Sequence, residues 1–487
     1  MRPPRACSST HRPSPSPCRG ARAAAGRGVA SQSCGYFARF YCETFAFLSL
    51  LCRCTLDAVP LSHVDSPAPR RYRPGRRAGC TGLAAARARL AAERVAAILA
   101  LAALSAAANA ASPLYPTYRA VLGTSDLVIT ALHTTYAVVA VVALLVLGPV
   151  ADTLGRRPVL VASALTAAMG TACLTASSSL AWLFAGRALL GVALGTATGA
   201  GVAVLVERAA PGRAPRASLL ATMAVLAGTG AGPLVTGVLA DLGSSPLLVA
   251  YLPTLALLAV TVAAACVIDD AGAMSHGAPA RWRPRVPEIP ATVRRRFTVA
   301  AASGFAAWSV AGVFLALLPA VAAEVTGRID HALSGGIVAA LLLCSALALP
   351  LGYRLAAGVA QAFGLVTLSL GLVVLAASQL AVVPGETLRL GLLGIAAVLA
   401  GIGHGLAYWG AAADVDACAV RNRAGITSAL YVLCYLGAGL PAIGVGALSL
   451  ILPLSTAIVV FVLLLCFLAI PLIPVPALAT GQRGHRS

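Results

Sequence analysis

The sequence predicts an all-α polytopic membrane protein, with twelve transmembrane helices in two pseudo-symmetric six-helix bundles. Three observations predict it. Apolar residues make up 59% of the 487 and charged ones only 11%, with a mean hydropathy of +0.87. Soluble domains run about 45–50% apolar and about 25% charged, so neither a soluble nor a disordered chain fits. The apolar residues gather in twelve runs of the ~20 residues that a hydrocarbon core requires. Those runs form two halves of 177 and 178 residues on either side of one polar break. Matched halves are the mark of an internally repeated transporter.

The first bundle, 92–268, holds spans at 92–116, 127–149, 158–177, 180–206, 216–240 and 246–268. The second, 298–475, holds spans at 298–322, 331–353, 359–382, 388–411, 423–447 and 453–475. Between them, 269–297 carries six arginines among Pro284, Pro287 and Pro290 and reads as a loop. A short tail, 476–487, follows the last span. Residues 1–91 are rich in Arg, Pro and Ser and contain seven of the 13 cysteines. Their apolar patch Phe45–Leu51 is too short to span and no clean cleavage site follows it. They read as a disordered basic extension, or as an over-extended gene start. Cys52 and Cys54 have no second pair, so zinc is not expected. The cysteines within spans read as small buried hydrophobes.

All 36 basic residues are arginine, against 16 acids, for a net charge of +20. Without lysine there is no Walker A loop and no Schiff-base chemistry. Neither a cofactor nor a metal is called for. Twelve of the excess charges lie in residues 1–94; of the 20 later arginines, 16 fall in even-to-odd loops and the tail. The other side holds Arg119, Arg328 and Arg389. This asymmetry predicts both termini in the cytoplasm of a cell that carries the chain in its plasma membrane. The charge then faces anionic lipid headgroups, and nucleic acid is not needed to explain it.

The most informative loop joins spans two and three and reads Gly148-Pro-Val-Ala-Asp152-Thr-Leu-Gly155-Arg156-Arg157-Pro158. Glycines there permit a tight turn and close helix approach. An aspartate at the membrane edge can cap a helix and pair with arginine. The positive-inside rule accounts for Arg156 and Arg157 but not for the whole spacing. With these residues the chain resembles the major facilitator superfamily, whose signature loop is G-x-x-x-D-x-x-G-R-[KR]. The resemblance covers about residues 92–475. It implies the major facilitator fold, alternating access, and a conformational latch formed by Gly148, Asp152, Gly155, Arg156 and Arg157.

Arg187 lies in span four, where a charge is costly and functional by default. The alternative is that it snorkels to the nearby interface. Arg187 and Gly191 match the family's R-x-x-x-G pattern, which the resemblance links to proton handling. In span five, Gly228-x-x-x-Gly232-Pro233-x-x-Thr236-Gly237 is a close-packing stripe with a helix-kinking proline. It resembles the antiporter-branch motif G-x-x-x-G-P-x-x-G-G, with Thr236 in place of one glycine. The second-half counterpart of the signature loop is eroded to Gly352, Arg354 and Gly358.

Polar and aromatic residues within spans are candidates for a substrate cavity. They are Asn109, His133, Tyr136, Trp308, His404, Trp409, Tyr431 and Tyr435; packing or interface anchoring is the competing reading of the aromatics. No carboxylate lies near a span centre. Glu207 sits at the end of span four, within reach of Arg208 or of the Asp152–Arg156 cluster. Such a cavity would suit hydrophobic or weakly cationic molecules.

The expectation is a monomeric, non-enzymatic transporter that exports small hydrophobic or drug-like substrates in exchange for protons. Uptake of a sugar, organic acid or other metabolite is the alternative. A polytopic enzyme or receptor is remote, because no catalytic constellation is visible.

Overall fold

In a computed structural model, the described residues are 80–176, 179–242, 246–269, 289–380, 385–418 and 423–472. The expected N-terminal extension up to residue 79, with Cys52 and Cys54, lies outside them, as do most of the central loop and the tail. Among the described residues every regular element is a helix. Twelve of them are long and apolar enough to cross a bilayer. In the first half these are Arg87–Leu122, Asp126–Val146, Arg156–Thr175, Leu180–Glu207, Ala214–Leu242 and Leu247–Ala265. In the second they are Ala291–Thr326, His331–Arg354, Ala357–Ser378, Glu386–Cys418, Gly425–Leu448 and Leu454–Leu472. They are spans one to twelve below.

Most edges fall within a few residues of those expected from hydropathy. The exceptions are spans one, seven and ten, which run several residues further. Hydropathy stops where charge begins, but a helix does not. Helical backbone already runs from Cys80, through Arg87, Arg89 and Glu93, to Asn109. Span ten likewise continues through Asp414 and Asp416.

Local chemistry sets the interruptions. Span one breaks after Asn109 into the single turn Ser112–Leu114 and the short helix Tyr115–Leu122. Pro113 and Pro116 occupy first-turn positions, where the missing N–H breaks no helical bond. Gly123 ends the short helix with φ 62°. Asp330 caps span eight, accepting from the Leu333 amide at 2.9 Å.

Spans one and seven are the innermost, with 78% and 89% of their most apolar stretches buried. Spans six and twelve are peripheral, at 33% and 39%. Span twelve turns Leu463, Leu464, Phe467 and Leu468 outward, as a lipid-facing helix must. Close helix approach is set by glycine. A Cβ on Gly228 or Gly232 would collide with the Ala102 or Ala106 carbonyl of span one. The same holds in the second half for Gly312 against the Ala438 carbonyl of span eleven.

The two halves meet along spans five and eight and along spans two and eleven. On the face opposite the Asp152 loop, polar contacts close this junction. Ser112 Oγ donates to the Leu315 carbonyl, and Thr134 Oγ1 donates to the Gly439 carbonyl at 3.0 Å.

Candidate transport site

A cavity open to solvent lies between the halves. The first bundle supplies Ser105 and Asn109 from span one, Tyr136 from span two, Thr198 and Val202 from span four, and Thr222 and Thr229 from span five. The second supplies Trp308, Tyr408, Tyr431, Cys434 and Tyr435 from spans seven, ten and eleven. Among the described residues the lining holds no charged one. Hydroxyls and aromatic rings dominate it, so it offers flat apolar surface with a few hydrogen-bonding points.

Three groups on this wall are buried and make no hydrogen bond within the described structure. They are Asn109 Oδ1, Ser105 Oγ and Trp308 Nε1. The Asn109 amide nitrogen donates to the Ser105 carbonyl at 2.9 Å, which turns the carboxamide and fixes its oxygen as the free acceptor.

Arg187 stands directly behind this wall. It is 0% exposed and does not snorkel. Its Nε donates to the Leu132 carbonyl at 3.3 Å, and its Nη2 to the His133 carbonyl at 3.2 Å. Nη1 donates to the Ala108 carbonyl. The guanidinium carbon lies 4.4 Å from the centre of the Tyr136 ring, a cation–π distance. Arg187 thus ties spans one, two and four together around the residue before Asn109.

Four candidates from the sequence lie elsewhere or carry a second role. His133 is 1% exposed, with Nδ1 3.4 Å from both Arg187 and the Tyr115 hydroxyl; it supports the arginine and does not line the cavity. His404 is fully buried, takes a 2.7 Å contact from Ser345 Oγ, and packs edge-on to Trp308. It sits behind that indole. Trp409 points away, against Tyr353 and Gly352 of span eight. Tyr136 both lines the cavity and shields Arg187.

The Asp152 loop forms at one end of the first bundle. The helix Val150–Leu154 is followed by Gly155 at φ 98°, a conformation that favours glycine. Arg156 Nη1 donates to Asp152 Oδ1 at 2.8 Å and to the Ala151 carbonyl at 2.6 Å. Its Nη2 donates to Glu207 Oε1 at 3.0 Å. Glu207 therefore pairs with Arg156, and Arg208 turns instead to Glu93 and to the Asp269 carbonyl at 2.6 Å. These bonds fasten the loop to the end of span four.

At the opposite face, span five reaches span eight. Gly237 lies so close to the His331 carbonyl, and Gly335 to that of Pro233, that neither tolerates a Cβ. Just beyond, Asp241 Oδ1 lies 2.5 Å from His331 Nδ1, and its Oδ2 accepts from the Ala332 amide at 2.8 Å. Thr117 Oγ1 contacts the other ring nitrogen at 2.7 Å. One histidine of the second half is thereby held by two spans of the first. His331→Ala removes both side-chain contacts and is expected to lengthen the separation between spin labels at Val121 and Ile329. An unchanged distance distribution would show that the glycine packing and the other polar contacts close this face without the His331 side chain.

The Major Facilitator Superfamily profile matches residues 97–442. The chain belongs to that family. No curated protein matches the sequence. Among solved structures, it is similar to a POT family transporter crystallised with 5-aminolevulinic acid, at 13% identity and a TM-score of 0.62. That match covers 80% of this chain and 96% of the other. It is also similar to a bacterial homologue of the human lysosomal transporter Spinster, in an inward-facing, unoccupied conformation. There the identity is 15% and the TM-score 0.58, with coverage of 79% and 95%. These likenesses show the fold, and family membership makes the chain a multi-pass secondary transporter.

For this family member, sequence reasoning missed Tyr408, Thr198, Thr222 and Thr229. Span-ten phase could have found the first: Tyr408 lies four residues after His404, on the same face, whereas Trp409 is rotated by about 100°.

Proposed function

We propose that the chain is a proton-coupled exporter of small hydrophobic, drug-like molecules in the plasma membrane, working by alternating access as a monomer. The observation that carries this reading is the central cavity, walled by both bundles, aromatic and free of charged lining residues. A site made by two halves changes its access when they rock about it. The arginine distribution supports placing the Asp152 loop and both termini in the cytoplasm. In that orientation the polar contacts of Thr117, Thr134 and Asp241 close the external side. The lining reaches towards the Asp152-loop end of the first bundle at Thr198, Val202 and Thr222, which supports reading this conformation as inward-facing. The Gly228–Gly237 segment supports export, through its likeness to the antiporter motif. Its glycines also lie where span five passes from span one to span eight. Arg187, through the R-x-x-x-G pattern, is the candidate for proton handling, and the Asp152 loop is the candidate latch.

The test uses inverted membrane vesicles with an imposed proton gradient, interior acidic. Uptake of a hydrophobic dye should depend on the gradient and collapse with a protonophore. Uptake in whole cells instead, driven inward, would favour the metabolite-import alternative.

A further inference from the structure

Arg187 is a fully buried cation whose contacts carry no negative charge. Carbonyl dipoles satisfy its N–H groups, and a tyrosine face covers its plane. Neither cancels its net charge, and a charge is screened far less in the interior of a protein than in water. The ring it stacks on, Tyr136, is itself part of the cavity wall, and its Ala108 contact adjoins Asn109. The positive field therefore enters the cavity through one aromatic layer. Among the described residues the lining itself holds no carboxylate; the charge of Asp416, from span ten, reaches Tyr408 and Tyr431 on the second-half side of the wall. One face of the Tyr136 ring, otherwise attractive to a cation, is already taken.

We propose that Arg187 is a charge filter, and that the carried molecule is a flat aromatic compound of zero or single negative charge, cations being excluded. This rests on the reading of the cavity as the substrate site. It replaces the weakly cationic substrate expected from sequence. The unpaired Asn109 Oδ1 and Trp308 Nε1, one acceptor and one donor on opposite halves of the wall, are covered in this conformation and supply the polar recognition once a side-chain rotation uncovers them. A molecule that engages both pins the halves together around it.

The experiment compares three matched probes, naphthalene-2-carboxylate, naphthalene-2-carboxamide and naphthalene-2-amidinium, binding to the full chain in nanodiscs. They share shape and differ in charge. The amidinium should bind at least tenfold more weakly than the carboxamide, and the carboxylate at least as tightly as the carboxamide. Arg187→Lys should keep this order. Arg187→Gln should bring the amidinium to within about threefold of the carboxamide, and the carboxamide itself reports whether that variant is folded. Equal wild-type binding of amidinium and carboxamide overturns the filter and leaves the cavity reading standing. Binding of none of the three overturns both. Should Arg187→Gln fail to fold, Arg187→Met, which removes the charge and keeps an unbranched side chain, takes its place, and an amidinium still bound at least tenfold more weakly by it overturns the filter.

Discussion

Gly228→Val leaves little folded protein in detergent, whereas Gly199→Ala is tolerated. A side chain at 228 drives into the Ala102 carbonyl, which is backbone and cannot turn aside. Overpacking of this kind typically costs about 1–3 kcal/mol and more where the backbone must move. In a bilayer, lipid tails are as apolar as the side chains, so helix association depends on this close fit. Gly199 meets nothing within 4 Å, and alanine there gains helix propensity of up to about 1 kcal/mol. Monodispersity on gel filtration and the midpoint of thermal unfolding check both. Equal behaviour of the two variants would mean that the span one–span five seam is not under tight steric control.

Arg156→Ala acts on turnover more than on folding. Its guanidinium is 15% exposed and joins Asp152, the Ala151 carbonyl and Glu207, at the end of span four. Its acidic partners Asp152 and Glu207 are 41% and 40% exposed, so its removal leaves no buried unpaired charge and the loss of stability is modest. If the loop latches one conformation, gradient-driven uptake into inverted vesicles falls at least tenfold at matched expression. Asp152→Asn follows in the same direction with a smaller effect, since a hydrogen bond survives but the charge does not. Glu207→Gln tests the second arm of the same guanidinium. Unchanged uptake in all three would leave this cluster as a topological signal only.

The fold was largely legible because hydropathy and helix length answer to the same bilayer. Twelve apolar runs became twelve spans, and error collected where charged residues such as Arg89 and Asp414 continue a helix beyond the core. The site was legible in part. Asn109, Tyr136, Trp308, Tyr431 and Tyr435 stand on the wall as polar or aromatic residues in spans. His133, His404 and Trp409 share that composition and stand behind it or away from it. Composition does not encode the rotation of a helix whose faces are all apolar. The surroundings of Arg187 were illegible for a different reason. Its partners are the carbonyls of Leu132, His133 and Ala108, and a backbone carbonyl leaves no trace in a sequence.

The glycine contacts of span five bear on speed as well as fit. Its seam with span one lies within one bundle, and its seam with span eight crosses between bundles. At Gly237 and Gly335 the crossing seam presents backbone to backbone, whereas further along it Met223 and Leu226 pack among Val338, Leu341 and Leu342. That glycine end of the seam can part with few rotamer changes, so the resistance to opening there is expected to fall on polar fastenings such as His331. Turnover rate and substrate affinity would then be set by separate residues, free to change independently.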